Sequence, residues 1–458
     1  MVHMGLTESA QSFIDGCRRR YEAMDERGRF RITLIILAAI TVFASLALFI
    51  SDFVTGGCDD LTKSFGDVAH YYINISQVTD DHLWPYSEAP LEYPPFTLVV
   101  FLIPKLIAWG WPAYHLVYDI FAGMAFAVFV YYGFRIMDSL GKDRFSFLCF
   151  ILIVLGVSNQ MIFERNDVFA AMFITMALYY TLKDRVCLPA VLIACAAMIK
   201  IYPVVLVPVF MIMYMSRREW RNALVFPVVS GLTCLLMELP FLIADPGSAF
   251  SWVSYHSVRG LQVEGVVSSF VTVADMFVDC VDSIYLDESQ SISLHGQFPD
   301  AIASVMNYIL AVMLVIVLAV MLYRAYRRGF TERKDTFRLL ALMSLITVMT
   351  FITFSKVYSA QYSIWILTLI PFVIGPRNAY NRRFSITVVA FCLASFMSQC
   401  FAFTMGSGIM DNVVCIVILI KNLVHLYLYY LLIRMFLDYT SGDEGRYEEQ
   451  MMPEASSA

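Results

Sequence analysis

Charge is scarce in this chain. Only 15% of its 458 residues are Asp, Glu, Lys or Arg, while 59% are apolar. Soluble domains carry about 25% charged and about 45–50% apolar residues, so a soluble globular fold is excluded. Metal-binding spacings are missing too: no CxxC pair and no Cys/His pattern occurs. Most of the 10 cysteines lie inside apolar runs, where Cys behaves as a small hydrophobe. Cys58 and Cys280 fall in expected outer loops and read as unpaired thiols, with a disulfide between them as the alternative. No basic patch interleaved with aromatics stands out, and the net charge of −6 gives no reason to expect a nucleic-acid partner. Neither a metal nor a cofactor is called for. The start does not read as a cleavable signal, because a polar segment with Arg18-Arg19-Arg20 precedes the first apolar run and no small-residue cleavage site follows. No Gly/Ser linker or soluble repeat divides the chain.

What is present is a series of apolar runs near the length that crosses a hydrocarbon core, about 20 residues. They lie at about 31–50, 114–136, 145–162, 168–182, 187–200, 202–215, 222–243, 301–323, 337–354, 359–375, 384–403 and 411–436. The fold class is therefore all-α: a polytopic helical membrane protein with about 12 transmembrane helices. Residues 1–30 read as a cytoplasmic N-terminal segment, with an interfacial helix between Thr7 and Asp25. Residues 31–437 form the membrane domain, with outer loops at 51–113 and 244–300. Residues 438–458 read as a disordered acidic cytoplasmic tail. The runs at 187–200 and 202–215 are short and meet at Lys200-Ile201-Tyr202-Pro203, where Pro203 marks a break. The apolar stretch from Phe96 to Trp109 is also short and carries Lys105, so it reads as a surface or half-inserted helix.

On that reading, Arg18–Arg31, Arg135/Lys142/Arg144, Lys183/Arg185, Arg217/Arg218/Arg221, Arg324–Arg338 and Arg377/Arg382/Arg383 share one side. The positive-inside rule makes that side the cytoplasm, with both termini there, and makes the acidic loops extracytoplasmic. Several charged groups then converge on the outer end. They are Asp67 with Glu92-Tyr93, then Glu164-Arg165-Asn166-Asp167, then Lys200 with Tyr202, then Lys356, Tyr358, Gln361 and Tyr362. His256 and Arg259 are a looser fifth set. A charge at membrane depth costs about 3 kcal/mol on insertion scales, so such residues are functional candidates by default. Carboxylates beside cations suit a reaction in which an acid takes a hydroxyl proton while the cations hold a phosphate. Each residue also has a plainer reading. Asp67 is one of several loop acids, Tyr93-Pro94-Pro95 turns the chain, Lys200 and Lys356 snorkel, and Asn166 or Asp167 caps the next helix. Glu238, inside the 222–243 run beside Pro240, is the residue that would suit a transporter if it lined a deep cavity.

The ordered set Gly66-Asp67, Tyr71, Trp84-Pro85-Tyr86, Glu92-Tyr93-Pro94-Pro95, Asn166-Asp167, Lys200-Ile201-Tyr202-Pro203 and Lys356-Val357-Tyr358-Ser359-Ala360-Gln361-Tyr362-Ser363-Ile364-Trp365 resembles glycosyltransferase family 87 of the GT-C superfamily. The similarity runs over about residues 30–435. The resemblance implies a plasma-membrane enzyme that moves a hexose, weighted to mannose, from a polyprenyl-phosphate donor to a glycolipid or cell-envelope glycan hydroxyl with inversion. It implies a metal-independent α-mannosyltransferase-like reaction. Its partners would be the lipid-linked donor, the glycan or glycolipid acceptor and membrane lipids. Asp67 matches the loop acid that serves as base. Glu92 and Tyr93 would shape the sugar or acceptor site. Lys200, Tyr202 and the stretch from Lys356 to Gln361 match positions near the donor phosphate and sugar. Arg165 stands where the family often has Gln. His256, Arg259, Asn166 and Asp167 complete the expected binding set. The alternatives are a flippase for lipid-linked sugars and a non-catalytic carrier-binding subunit.

Overall fold

A computed structural model describes residues 2–25, 67–286, 291–373, 379–402 and 411–441, with scattered positions between 28 and 50. The fold is all-α apart from one small sheet. Among the described residues, seven helices are long and apolar enough to cross a membrane: Trp111–Leu140, Arg144–Phe163, Trp220–Ala244, Gln297–Arg328, Arg333–Phe354, Arg383–Cys400 and Asn412–Ser441. Each coincides with an expected span. The first run, at 31–50, and Cys58 lie largely or wholly outside the described residues.

The four remaining runs form shorter pieces. Asp167–Leu182 has 16 residues, Cys187–Ala197 has 11 and Leu206–Ser216 has 11. The run at 359–375 becomes two pieces, Tyr362–Leu367 and Ile370–Val373. At 1.5 Å per residue the longest of these reaches only about 24 Å, short of a full hydrocarbon core. Their side chains are mostly buried among neighbouring helices. A segment enclosed by protein does not have to match the bilayer, and irregular backbone is tolerated there. Trp220–Ala244 and Gln297–Arg328 behave oppositely. They leave large apolar side chains such as Leu236, Ile243, Val312 and Val315 exposed, a surface suited to lipid.

The break before Pro203 has a local cause. Proline has no amide to donate, so a hydrogen-bond ladder cannot run through it. The helix Cys187–Ala197 ends upstream, and Pro203 sits in the first turn of a short 3-10 helix, Tyr202–Val205, where a missing amide costs least. Thr97–Ile107 is likewise too short to cross, at 11 residues. It starts where Pro94-Pro95 turns the backbone, and the Thr97 hydroxyl donates to the Ile199 carbonyl at 2.8 Å. Lys105 folds back to Asp80 at 2.7 Å and to Ser76 at 2.9 Å.

The expected loop at 244–300 holds more structure than its sequence suggests. It contains helices Ser251–Val258 and Val266–Val278 and three strands, β1 (Leu261–Gln262), β2 (Ser283–Leu286) and β3 (Ile292–His295). The sheet is antiparallel in the order β1-β3-β2, with Leu261 and Ile284 both opposite Leu294. Leu261, Leu294, Val263, Val271 and Met306 form a small core of their own. The strands are too short, and their alternation too brief, to stand out in the sequence.

At the other end of the bundle the basic loops meet. Asp184 accepts from Arg217 at 3.3 Å and is paired with Arg333. The N-terminal helix Val2–Glu22 joins that end through Arg18 and Asp143 at 3.3 Å and through the Tyr21 and Phe145 rings at 6.0 Å. A cleft of about 460 Å³ opens there, lined by Tyr21, Arg29, Asp138 and Lys142.

Helix Trp111–Leu140 meets Arg144–Phe163 closely at Gly133, where a Cβ would overlap the Phe147 ring. Gly156 on the second helix faces open space. Overpacking a tight contact costs about 1–3 kcal/mol. Gly133→Ala is therefore expected to lower the melting temperature in detergent while Gly156→Ala does not. Equal melting temperatures would show that this helix contact is loose.

Candidate active site

The loop between Arg144–Phe163 and Asp167–Leu182 is the hub. Asp167 is fully buried, at 0% exposure. Its Oδ1 accepts from the Trp365 indole at 2.5 Å, and its Oδ2 lies 3.3 Å from Lys200 Nζ. Lys200 also donates to Asn166 Oδ1 at 3.0 Å and sits over the Tyr93 ring at 4.9 Å. The lysine therefore turns inward, and the snorkelling reading is set aside. Asn166 occupies the N-cap position, yet its side chain makes no capping bond, because Lys200 has taken its carbonyl oxygen. The expectation that Asn166 caps through its side chain is corrected on that ground.

Asp67 sits at the N-terminus of the helix Val68–Thr79 and is ion-paired with Arg165. The buried Tyr71, one turn on, links the two loops. Its hydroxyl is 3.4 Å from Asp67 Oδ2 and accepts from the Asn166 amide at 3.3 Å. Burial pulls Arg165 down to about 10, with Asp167 and Glu264 opposing the fall, so the guanidinium stays charged at neutral pH.

A second pairing lies beside the first. Glu92 binds Arg259 at 3.3 Å and faces His70 at 3.5 Å. Burial works against its ionisation, but His70, a bond from Tyr93 and Arg259 together outweigh it and hold the carboxyl below its usual range. Arg259 also lies over Tyr255, 5.0 Å from the ring centre. Strand β1 connects this group to Lys356, since the Gln262 amide donates to the Lys356 carbonyl at 3.0 Å. Burial first, and Arg259 second, lower the Lys356 pKa, so these two cations are near neighbours.

An aromatic wall closes one side. Tyr202 stacks on Trp365 at 3.9 Å, and Tyr362 stacks on Trp365 at 3.7 Å. The Tyr202 hydroxyl is buried and makes no hydrogen bond among the described residues. Gln361 stands at the N-cap of Tyr362–Leu367. The backbone of His256 lies in the helix Ser251–Val258, and its side chain is outside the described residues. The expected set is thus brought to one end of the bundle, opposite the basic loops.

Sequence reading missed several members. His70 and Tyr255 carry no local signal. Tyr71 and Trp365 stood in the ordered motif without a role. A buried polar seam in the last helix was also missed. Lys421 lies 3.8 Å from Glu264, Asn422 donates to the Glu264 and Gly265 carbonyls at 3.2 and 3.0 Å, and His425 Nε2 is 2.9 Å from Thr353 Oγ1. The signal available was three polar residues at i, i+1 and i+4 within an apolar run. Glu238 is buried about one turn before Phe241, whose ring meets Tyr86 edge-on at 5.0 Å, so it lies toward the site end of its helix. Among the described residues, the group of His115, Asp119 and Glu164 could hold a metal ion, with ligand atoms within 4.8 Å of one another. Its members come from two helices, which hid it from the sequence.

The architecture defines a polytopic helical membrane protein with a buried, charge-paired site at one end. A model of glycosyltransferase family 87 matches residues 91–355, more than half of the chain, and the protein belongs to that family of membrane glycosyltransferases. Comparison with curated proteins and with solved structures finds no match. The matched region contains the hub loop, Lys200 and Arg259, whereas Asp67 precedes it and Lys356 and Gln361 follow it.

Two outcomes follow from the pairings. Lys200→Met would leave Asp167 buried without its cation, a change that costs about 3–5 kcal/mol. Adding Asp167→Asn should recover much of that loss in thermal unfolding, and strict additivity would show that the two do not interact. Glu92 titrates below its ordinary 4.5 in the folded state. Its contribution is complete above that value and is lost as pH falls through the depressed one. Glu92→Gln should flatten the acid limb of the stability curve in that window, and an unchanged limb would contradict the pairing.

Proposed function

We propose that the protein transfers a hexose, mannose by family weight, from a polyprenyl-phosphate donor to a hydroxyl of a glycolipid or cell-envelope glycan. The reaction runs with inversion at the extracytoplasmic face of the plasma membrane, with both termini cytoplasmic. The observation that carries this reading is the Asp67 and Arg165 pair, set among Lys200, Arg259 and Lys356 at the end opposite the basic loops. A lipid-anchored donor holds its phosphate at headgroup depth. Cations in a partly dehydrated site there bind it and stabilise the charge that develops as it leaves.

Asp67 is the base. The acceptor hydroxyl attacks the anomeric carbon from the face opposite the phosphate, and its proton passes to Asp67. The new C–O bond forms as the bond from the anomeric carbon to the phosphate oxygen breaks, and polyprenyl phosphate departs with the electron pair. In the structure Asp67 is engaged by Arg165. A donor phosphate competes for that guanidinium, so donor binding frees the carboxylate for the acceptor. Tyr202, Trp365 and Tyr362 supply an apolar wall against the sugar or the first isoprene units. Glu92 acts chiefly by fixing Arg259. Family membership favours a transferase over a flippase.

The test is transfer of radiolabelled polyprenyl-phosphate mannose to envelope glycolipids by the reconstituted protein. General-base catalysis contributes about 10²–10⁴-fold, so Asp67→Asn is expected to lower turnover by that factor while the protein stays folded and inserted. Full turnover in the variant would remove Asp67 as the base. Absence of transfer by the wild type from any polyprenyl-phosphate hexose would remove the donor assignment.

A further inference from the structure

We propose that His115, Asp119 and Glu164 form a binding site for one divalent cation, which pins the hub loop from behind. His115 and Asp119 lie one turn apart on Trp111–Leu140, and so on one face of that helix. Glu164 ends the helix Arg144–Phe163 and immediately precedes Arg165. His115 Nε2 is 2.9 Å from Glu164 Oε1 and 3.8 Å from Asp119 Oδ1. All three residues are buried, at 2%, 1% and 1% exposure. Trp111 stacks on the imidazole at 5.2 Å and 17°, which fixes the plane of the ring.

Three arguments favour a cation. The first is geometric. Metal–ligand bonds of about 2.0–2.2 Å place ligand atoms on a shared ion about 3–3.5 Å apart. The two separations from His115 bracket that range, so small rotations of the carboxylates complete the set. The second is the bonding capacity of the imidazole. Its Nε2 offers one hydrogen or one lone pair, yet it faces two carboxylates. The third is charge within the triad itself: if both carboxylates are ionised, a divalent ion with neutral His115 brings the three side chains and the ion to zero.

One imidazole and two carboxylates are a mixed donor set, which suits Zn²⁺ or Mn²⁺ better than a hard ion such as Ca²⁺. The site is positional. Its members stand behind the loop whose other residues hold Asp67 and Lys200, and the ion touches no reacting atom. Locking Glu164 fixes the backbone on which Arg165, Asn166 and Asp167 are set. The site is independent of which sugar is transferred, and its test reads binding rather than transfer.

The experiment uses the full-length protein in detergent, stripped with a chelator and re-equilibrated with Zn²⁺ or Mn²⁺. Bound metal is read by mass spectrometry and stability by thermal unfolding. One equivalent of ion and a raised melting temperature are expected for the wild type. Asp119→Asn and Glu164→Gln should each weaken binding at least about tenfold and abolish the shift. A readout on the wild type alone covers variants that fail to fold: pulsed electron paramagnetic resonance of the Mn²⁺ form should show coupling to one imidazole nitrogen. Less than one equivalent of either ion, stoichiometry unchanged in both variants, or no nitrogen coupling would overturn the proposal and leave the triad as a proton-sharing structural cluster.

Discussion

The buried carboxylate of Asp167 is the interaction on which the rest of the site depends. At 0% exposure it is shut off from bulk solvent. Lys200 must reach it from the break before Pro203, and Trp365 must reach it from a short helix 198 residues further along the chain. One charge thus ties three segments that sequence order keeps apart. The short helices are a consequence. Cys187–Ala197 must stop where Lys200 is needed, and Tyr362–Leu367 must begin where Trp365 can face inward. In a helix bundle made mostly of interchangeable apolar side chains, such pairings mark which segments meet.

The same logic repeats outward from the hub. Asp67 is paired to Arg165, Glu92 to Arg259 and Glu264 to Lys421, each joining a loop to a different part of the bundle. In the structure Arg165, Lys200, Arg259 and Lys421 are thus each engaged by an acid. On the proposed function a phosphate-bearing donor would enter by exchange, taking a cation and releasing a carboxylate. Under that proposal binding of the donor and release of Asp67 would be one event, tying proton abstraction to the presence of the donor. The Glu164 cluster, directly beside Arg165, would set how stiffly this exchange is held.

Much of this was legible in the sequence because charge is rare there. A Lys, Arg or Asp in an apolar background stands out, so Arg165, Asp167, Lys200 and Lys356 were visible. So was the break at Pro203, since proline acts locally. What stayed hidden were choices of partner. Nothing near Asn166 shows that Lys200, 34 residues away, will take its carbonyl and leave the cap unmade. Nothing near His115 points to Glu164, 49 residues on. The 244–300 region read as a loop because strands of two to four residues have no usable period. Enclosed helices such as Asp167–Leu182 read like lipid-facing spans, because composition reports apolar surroundings without separating lipid from protein.

The central claim is the exchange at Arg165, and a structure of the protein with polyprenyl-phosphate mannose bound tests it most directly. The account predicts a donor phosphate within hydrogen-bond distance of the Arg165 guanidinium, with the Asp67 carboxylate released and turned toward the acceptor side of the sugar. A phosphate held elsewhere, with Arg165 still paired to Asp67, would contradict it.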